Sequence, residues 1–191
     1  MKEEILNKLF KEARSFNKFE EKEVSEEVLM AVYDLAKYGP TAYNAQPARY
    51  LFIKSKEAKE RLRPHLMEGN VDKTMKAPVN VIVATDYDFF KIFDKTFPIA
   101  DIKGMFESNK NLVDETGFRN GTLSGAYLMI AARTLGLDVG PMSGFFNESL
   151  DKEFFAGTNI KSNFLINLGY GIREEYQRLP RLDFNLAAKI I

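Results

Sequence analysis

The chain of 191 residues has the length of a single domain, and its 45% hydrophobic and 28% charged residues are typical of a globular protein. Its 27 basic residues balance its 27 acidic residues, which argues against a protein that binds nucleic acid mainly by neutralising phosphates. The lack of cysteine excludes disulfides, a thiolate nucleophile and a zinc–thiolate site, and one histidine, His65, cannot form a multi-histidine metal site.

Hydropathy favours a cytoplasmic protein. No segment reaches the roughly 18 uninterrupted apolar residues of a membrane span. Glu3 and Glu4 stand where a secretion signal needs basic residues. We therefore predict one cytoplasmic domain over residues 1–191, without a membrane, nucleic-acid or metal partner. His65, which follows Pro64, is interpreted as a structural residue at a helix end.

Two amphipathic helices are predicted first along the chain. Apolar residues at helical spacing mark residues 3–12 as the first. The second is expected to begin after Ser25, a typical N-cap, and to end at Gly39-Pro40. Its expected buried stripe comprises Val28, Leu29, Val32, Leu35 and Ala36.

A polar loop from Gly39 to Tyr50 follows the second helix. Its two prolines remove backbone donors and disfavour helix and central strand. Between them, Thr41, Asn44 and Gln46 carry side chains able to hydrogen-bond a planar ligand. The same side chains can serve only to satisfy the backbone of a turn, and the loop by itself leaves both interpretations open.

The middle of the chain predicts two strands separated by helices. Tyr50–Ile53 is β-like, Ser55 is expected to cap a helix ending near Leu62, and residues 70–76 are expected to form a short helix. We treat Val79 to Ala84 as one continuous apolar run of strand length. Such a run is typical of a strand buried on both faces.

The aromatic segment over residues 86–111 is ambiguous. It contains several phenylalanines together with Pro98 and Gly104. The pattern fits either a helical lid over a pocket or structural filler, and both alternatives stay open.

The longest helical pattern covers residues 116–135, and Gly136 is expected to end it. Small residues at Gly121, Ser124 and Gly125 suit close packing against another helix or a second copy of the chain. The expected apolar stripe comprises Leu123, Ala126, Tyr127, Ile130, Ala131 and Thr134.

The last third predicts a glycine-rich turn at residues 139–145, a short helix capped by Asn147 and a strand over residues 163–168. The tail, residues 174–191, is too apolar for a disordered linker. Because helices outnumber and separate the strands, the sequence predicts an α+β or α/β fold around a layered sheet.

Sequence motifs for nucleotide or hydrolase chemistry are missing. The chain lacks a G-x-G-x-x-G after a strand, a phosphate-loop lysine motif and a G-x-S-x-G elbow. An enzyme with so few reactive groups is expected to rely on an organic cofactor. Three polar clusters are candidate ligand contacts, although each alone is typical of a solvated surface: Arg14, Ser15 and Asn17; Asn70 and Lys73, which share a helix face; and Arg178 and Arg181.

Several blocks of sequence occur in the order typical of a known family. They are ARSFN at 13–17, GPTAYNAQPAR at 39–49, KERLRP at 59–64, EGN at 68–70 with Lys73, ETGFRN at 115–120, GPMSGF at 140–145, KSN at 161–163, NLGYG at 167–171 and RLPR at 178–181. Over nearly its whole length the chain resembles the FMN-dependent nitroreductase family. It is especially similar to the subfamily of malonic semialdehyde reductases and NADH dehydrogenase/NAD(P)H nitroreductases.

The resemblance implies an α+β sandwich with a mostly antiparallel central sheet flanked by helices, assembled as an intertwined homodimer. FMN would lie at the dimer interface, together with the helix at 116–135. The tail at about 174–191 would embrace the partner subunit. NADH or NADPH would serve as a transient electron donor.

The resemblance also implies the cofactor contacts. Many family members carry basic residues at the positions of Ala13 and Asn17, and often an acid at Ser143, so phosphate binding is expected to depend more on Arg14 and Arg178 here. The implied contacts are Arg14, Ser15, Asn17, Arg178 and Arg181 to the phosphate and ribityl chain; Asn70 and Lys73 to the pyrimidine edge; Pro141, Met142, Ser143 and Gly144 over one ring face; and Pro40, Thr41, Ala42 and Asn44 from the second subunit.

The reaction that the resemblance implies is hydride transfer from NAD(P)H through flavin N5 to a small aldehyde such as malonic semialdehyde, giving 3-hydroxypropionate. Lys73 and Ser143 are the candidate catalytic residues. Arg49 and Arg119 are candidate contacts to the substrate carboxylate. The alternatives are a nitro- or quinone reductase of the same fold, and a flavin-binding protein without turnover.

Overall fold

The computed structural model describes residues 2–173 and 178–191, and its centre is a four-stranded sheet in the order β1-β2-β4-β3. All neighbouring strands are antiparallel. β2 and β4 are therefore central, and β1 and β3 form the two edges. The strands are β1 (Ala48–Ile53), β2 (Val79–Asp86), β3 (Asp138–Met142) and β4 (Ile160–Gly169).

Helices flank both faces of the sheet, which confirms the predicted α+β class. Within residues 2–173 and 178–191, every helix is too short or too polar to serve as a membrane-spanning segment. The helices are α1 (Lys2–Leu6), continued by a π-helical turn (Asn7–Lys11), α2 (Glu26–Ala36), α3 (Lys56–Leu62), α4 (Glu68–Lys76), α5 (Phe93–Thr96), α6 (Lys103–Glu107), α7 (Lys110–Thr134), α8 (Asn147–Phe154) and α9 (Phe184–Ala187).

Strand β2 is buried on both faces, as predicted. Val81 and Val83 pack into the core that α2 and α7 share. Ile82 and Ala84 belong to the core on the opposite face, which residues of α3 and α8 complete. The predicted run is not continuously apolar, however, because it contains the polar residue Asn80, which is fully buried.

Most predicted start and stop signals are confirmed. The Ser25 hydroxyl accepts a hydrogen bond from the Val28 N–H at 3.4 Å, and Ser55 caps α3 in the same way. Gly136 follows α7 with φ of 86°, the left-handed conformation in which a side chain is unfavourable. The predicted cap of α8 is wrong, since Asn147 is its first helical residue and its side-chain amide donates to the Ser162 carbonyl at 3.0 Å.

Helix α7 begins at Lys110, earlier than predicted, and turns its small residues toward the sheet. A Cβ built on Gly125 would lie 2.5 Å from the Phe164 ring, so only glycine allows this approach. The predicted apolar stripe is consequently partly exposed, with Leu123 and Tyr127 at 48% and 38% of their surface. Leu35 of α2, also predicted to be buried, is exposed as well.

The predicted glycine-rich turn at residues 139–145 is wrong over its first half, which forms strand β3. Pro141 pairs with Ile166 of β4 and is tolerated because β3 is an edge strand. The turn itself is confined to the residues after Met142.

The aromatic segment between β2 and α7 contains α5 and α6 and builds a small core of its own. Phe93 and Phe106 are buried with ring centres 5.2 Å apart, and Phe89 packs at 5.5 Å from Phe106. The interpretation as structural filler is therefore supported for these rings.

The C-terminal tail is described from Arg178 onward, and the part of the predicted tail at residues 174–177 lies outside the described residues. Its apolar side chains are exposed, among them Leu182, Phe184 and Ile190. Contact between this tail and a partner subunit stays a prediction.

Candidate functional site

Two arginines that are distant in the sequence meet at the end of the first helical segment. Arg14 Nη1 donates to the Lys11 and Ala13 carbonyls at 3.0 and 2.9 Å. Arg178 Nη2 donates to the same two carbonyls at 2.7 and 2.8 Å, and to that of Phe10 at 2.9 Å. The carbonyls near the C-terminal end of the π-helical turn thus hold two guanidinium groups side by side.

Arg133 and Arg181 complete this cluster. With Arg14 and Arg178 they line a cavity of about 510 Å³, which we call the arginine pocket. Among the described residues, no carboxylate forms an ion pair with any of the four. Desolvation, followed by the charges of Arg14 and Arg181, lowers the pKa of Arg178, and burial lowers that of Arg133.

The arginine pocket has the properties of an anion site. Arg14 Nε is buried and has no hydrogen-bond partner. The clustered cations repel one another, and Asp138, whose charge acts on Arg133, is not in an ion pair with any of them. A phosphate supplies both the missing acceptor and the missing negative charge. Arg133 was not predicted, although a basic residue in the last turn of a long helix is a recognisable signal.

The segment from Arg14 to Asn17 runs along the free edge of β3. Ser15 pairs with Val139, and the Phe16 N–H donates to the Val139 carbonyl at 3.0 Å. A Cβ on Gly140 would overlap the Phe16 carbonyl oxygen, so glycine is required there. Ser15 and Asn17 also line a smaller cavity of about 210 Å³ next to Arg14.

The turn that follows β3 contacts helix α4 and the residue before it. The Asn70 side-chain amide donates to the Gly144 carbonyl at 2.7 Å, and the Met67 N–H donates to the same oxygen at 3.1 Å. Lys73 lies one turn further along α4 and is half-buried. Within the described part of the chain its ammonium has no ion-pair partner.

The structure therefore brings most predicted cofactor contacts to one side of the sheet. We call this region the β3 side; it comprises residues 14–17 and 141–144 with Asn70 and Lys73, and it adjoins the arginine pocket.

The other predicted contacts, Pro40, Thr41, Ala42 and Asn44, lie at the opposite edge. The loop that contains them leads into β1, whereas β3 is the other edge strand. Three strand spacings separate these edges, about 14 Å. Within one chain, this loop and the β3 side do not meet.

The loop is held in an unusual conformation. Tyr43, Asn44 and Gln46 have φ values of 52°, 49° and 43°, which non-glycine residues seldom adopt. The Gln46 N–H donates to the Thr41 hydroxyl at 3.2 Å, and the Asn44 amide donates to the Thr96 carbonyl at 2.7 Å. The side chains of Thr41 and Asn44 thus form hydrogen bonds with backbone groups of their own chain. Left-handed residues that the surrounding structure enforces are typical of functional sites.

The two candidate substrate arginines have partners elsewhere. Arg49 Nη2 forms an ion pair with Asp86 at 2.8 Å, and its Nη1 donates to the Gln46 and Ala48 carbonyls at 3.0 and 2.9 Å. Arg119 lies on the exposed surface of α7 and pairs with Glu115. Neither adjoins the β3 side of its own chain, and their contact with a substrate stays a prediction.

His65, interpreted from the sequence as a structural residue, contacts helix α8. His65 Nδ1 lies 2.9 Å from the Ser149 hydroxyl, and its ring contacts Phe154.

The Tyr43 ring lies 5.6 Å from that of Phe97, so the loop packs directly on the aromatic segment.

Comparison with known proteins identifies the family. The model of the nitroreductase family matches residues 10–170. A relative from Stenotrophomonas maltophilia strain R551-3 is 53% identical over 97% of this chain and 95% of its own length, and is named provisionally as an NADH dehydrogenase/NAD(P)H nitroreductase.

Solved structures share the fold at low identity. A nitroreductase structure from Bacillus subtilis superposes with a TM-score of 0.86 at 20% identity, over the full length of both chains. One from Exiguobacterium sibiricum, solved in complex with FMN, gives 0.84 at 21% identity over 99% of this chain and 96% of its own. The expected resemblance is thus confirmed, and the chain belongs to the nitroreductase family.

Proposed function

We propose that the protein is an FMN-dependent NAD(P)H oxidoreductase that works as a homodimer. The arginine pocket carries the proposal, because Arg14 offers a buried donor with no partner and its neighbours offer positive charge that no ion pair among the described residues neutralises. Two names support it: the Exiguobacterium structure contains FMN, and the Stenotrophomonas relative is named for NAD(P)H and nitro substrates.

The residues of one chain would hold most of the cofactor. Arg14, Arg133, Arg178 and Arg181 would bind the phosphate, and Ser15 and Asn17 would bind the ribityl chain beside it. Asn70, Lys73 and the Pro141–Gly144 segment would border the ring.

A second copy of the chain is proposed to complete the site. Pro40, Thr41, Ala42 and Asn44 are too far from the β3 side of their own chain, so they would act on the cofactor of the other subunit. Large exposed apolar side chains on α2, on α7 and in the tail suit burial between two subunits. They include Met30, Tyr33, Leu35, Leu123, Tyr127, Leu182 and Phe184.

When bound, FMN supplies the atom that takes hydride from NAD(P)H and passes it to an acceptor. The protein contributes position and electrostatics. The Lys73 ammonium would favour negative charge at the pyrimidine edge. The Ser143 hydroxyl would offer a neutral hydrogen bond near the reacting face. Asn70, which holds the Gly144 carbonyl, keeps the Ser143–Gly144 turn in place.

Nitro compounds and quinones are the acceptors that we propose first. Malonic semialdehyde requires a cation for its carboxylate, and both candidate arginines are engaged, Arg49 by Asp86 and Arg119 by Glu115. Reduction of the semialdehyde to 3-hydroxypropionate is the alternative substrate assignment, and a flavin-binding protein without turnover is the alternative function.

An acceptor screen tests the proposal. The purified protein is expected to be yellow and to oxidise NADH or NADPH when nitrofurazone or menadione is added under anaerobic conditions. Higher kcat/KM with malonic semialdehyde would reassign the substrate. Yellow protein that consumes neither nucleotide with any acceptor would be a flavin-binding protein, and failure to bind FMN contradicts the proposal altogether.

Replacing Lys73 by methionine is expected to slow reduction of the bound flavin about ten- to hundredfold, because the side chain stays unbranched and of similar size but loses its charge. Stopped-flow absorbance under anaerobic conditions measures this rate. Lys76→Met, which changes an exposed lysine at the end of the same helix, is the matched control. An unchanged rate in Lys73→Met removes the assigned role.

A further inference from the structure

A pair of asparagines lies buried at the centre of the sheet. Asn80 of β2 and Asn167 of β4 are directly opposite each other and are 0% and 1% exposed. Asn80 Nδ2 donates to Asn167 Oδ1 at 2.8 Å. Buried strands between two apolar cores ordinarily carry apolar side chains at such positions, so the pair calls for a physical explanation.

Asn80 also reaches helix α4. Its Nδ2 donates to the Thr74 carbonyl at 2.9 Å. This carbonyl belongs to the last turn of α4, where the carbonyl groups lack partners within the helix. The bond therefore attaches α4 to the sheet at the residue that follows Lys73.

Thr74 extends the connection to β3. Its side chain is fully buried, and its hydroxyl donates to Met142 Sδ at 3.5 Å. Through Thr74, Asn80 thus supports the helix that carries Asn70 and Lys73. Through the same residue it also supports the end of β3, which carries Met142.

The pair is not optimised for stability. Asn80 Oδ1 and Asn167 Nδ2 are both buried without a hydrogen-bond partner. An unpaired buried polar atom destabilises a fold, whereas replacement of both members by apolar residues of similar shape is often neutral or stabilising. Stability therefore does not explain these amides, but attachment of α4 does.

We infer that Asn80 and Asn167 are positioning residues, which set the position of Lys73 and Asn70 at the ring of the cofactor. The inference rests on the proposed function. Asn167 orients the Asn80 amide, Asn80 fixes the last turn of α4, and α4 places the Lys73 ammonium. Loss of the pair is expected to weaken the preference for the reduced cofactor without unfolding the protein.

The double variant Asn80→Val/Asn167→Val tests this inference. Its thermal midpoint is expected to stay close to that of the wild type, because the removal of two unpaired polar atoms offsets the loss of the hydrogen bond to the Thr74 carbonyl. The two-electron midpoint potential of bound FMN is expected to fall by about 30 mV, which corresponds to a tenfold weaker preference for the reduced state. Spectroelectrochemical titration measures the potential without depending on turnover.

Thr85→Val is the matched control. Thr85 lies on the same strand and also has a buried hydroxyl without a partner, but its side chain packs against Gly117 and Gly121 of α7. Its variant is expected to keep the wild-type potential. The asparagine substitutions are also introduced into Lys73→Met, where no further fall in potential is expected if the pair acts through Lys73.

The outcomes separate the two proposals. A folded double variant with the wild-type potential, or a fall that persists in Lys73→Met, overturns the positioning role. A wild-type protein that binds no FMN overturns the proposed function and this inference with it. If the double variant does not fold, Asn80→Ser, whose side chain is too short to reach the Thr74 carbonyl, provides the same comparison.

Discussion

Arg14→Gln combined with Arg178→Gln is expected to weaken binding of FMN by a factor on the order of 10² to 10⁴. Each arginine is proposed to make a charge-assisted hydrogen bond to the phosphate, and such bonds contribute about 1.5–3 kcal/mol each. Riboflavin lacks the phosphate, so its affinity is expected to change little. The ratio of the two affinities, measured by fluorescence titration, is the decisive quantity.

This ratio distinguishes a phosphate contact from damage to the fold. Arg178 also binds the carbonyls of Phe10, Lys11 and Ala13, so its loss loosens the first helical segment. That damage would weaken the binding of FMN and riboflavin together. Arg61→Gln/Arg63→Gln removes two exposed arginines that pair with Glu153 and Glu60, and serves as the control. An unchanged ratio in the Arg14/Arg178 variant would show that the phosphate binds elsewhere.

Local chemistry explains which elements were predictable from the sequence. Ser25 and Ser55 each satisfy a backbone N–H in the first turn of their own helix, and Gly136 adopts a conformation that disfavours other residues. Such signals depend only on neighbours in the chain. The buried face of α7 depends instead on how closely the sheet approaches Gly125, which the spacing of its apolar residues does not reveal.

The candidate site likewise contains residues that the sequence could indicate and residues that it could not. Arg14 and Arg178 converge on carbonyls near the start of the chain, and only the resemblance to a family connected them beforehand. Arg133 resembles any cation at a helix C-terminus, and Asn80 is inconspicuous within an apolar strand. Their importance arises from contacts between elements, the arginine pocket for Arg133 and the α4 carbonyl for Asn80.

Leu123→Glu is expected to convert the protein to a monomer and to release FMN. Leu123 is 48% exposed on the outer surface of α7, beside Tyr127, which packs on Gly39 at the start of the loop. An unpaired carboxylate buried between subunits costs about 3–5 kcal/mol. Dimerisation should therefore weaken by a factor on the order of 10² to 10⁴.

Analytical ultracentrifugation with detection at a flavin wavelength follows mass and cofactor together. Phe146→Glu, an exposed aromatic residue before α8 on the opposite face of the sheet, is the control and is expected to leave both unchanged. The loop containing Pro40, Thr41, Ala42 and Asn44 leads into β1, and three strand spacings, about 14 Å, separate β1 from β3. Loss of the dimer should therefore remove this loop from the cofactor. A monomer that binds FMN as tightly as the wild type would mean that one chain holds a complete site.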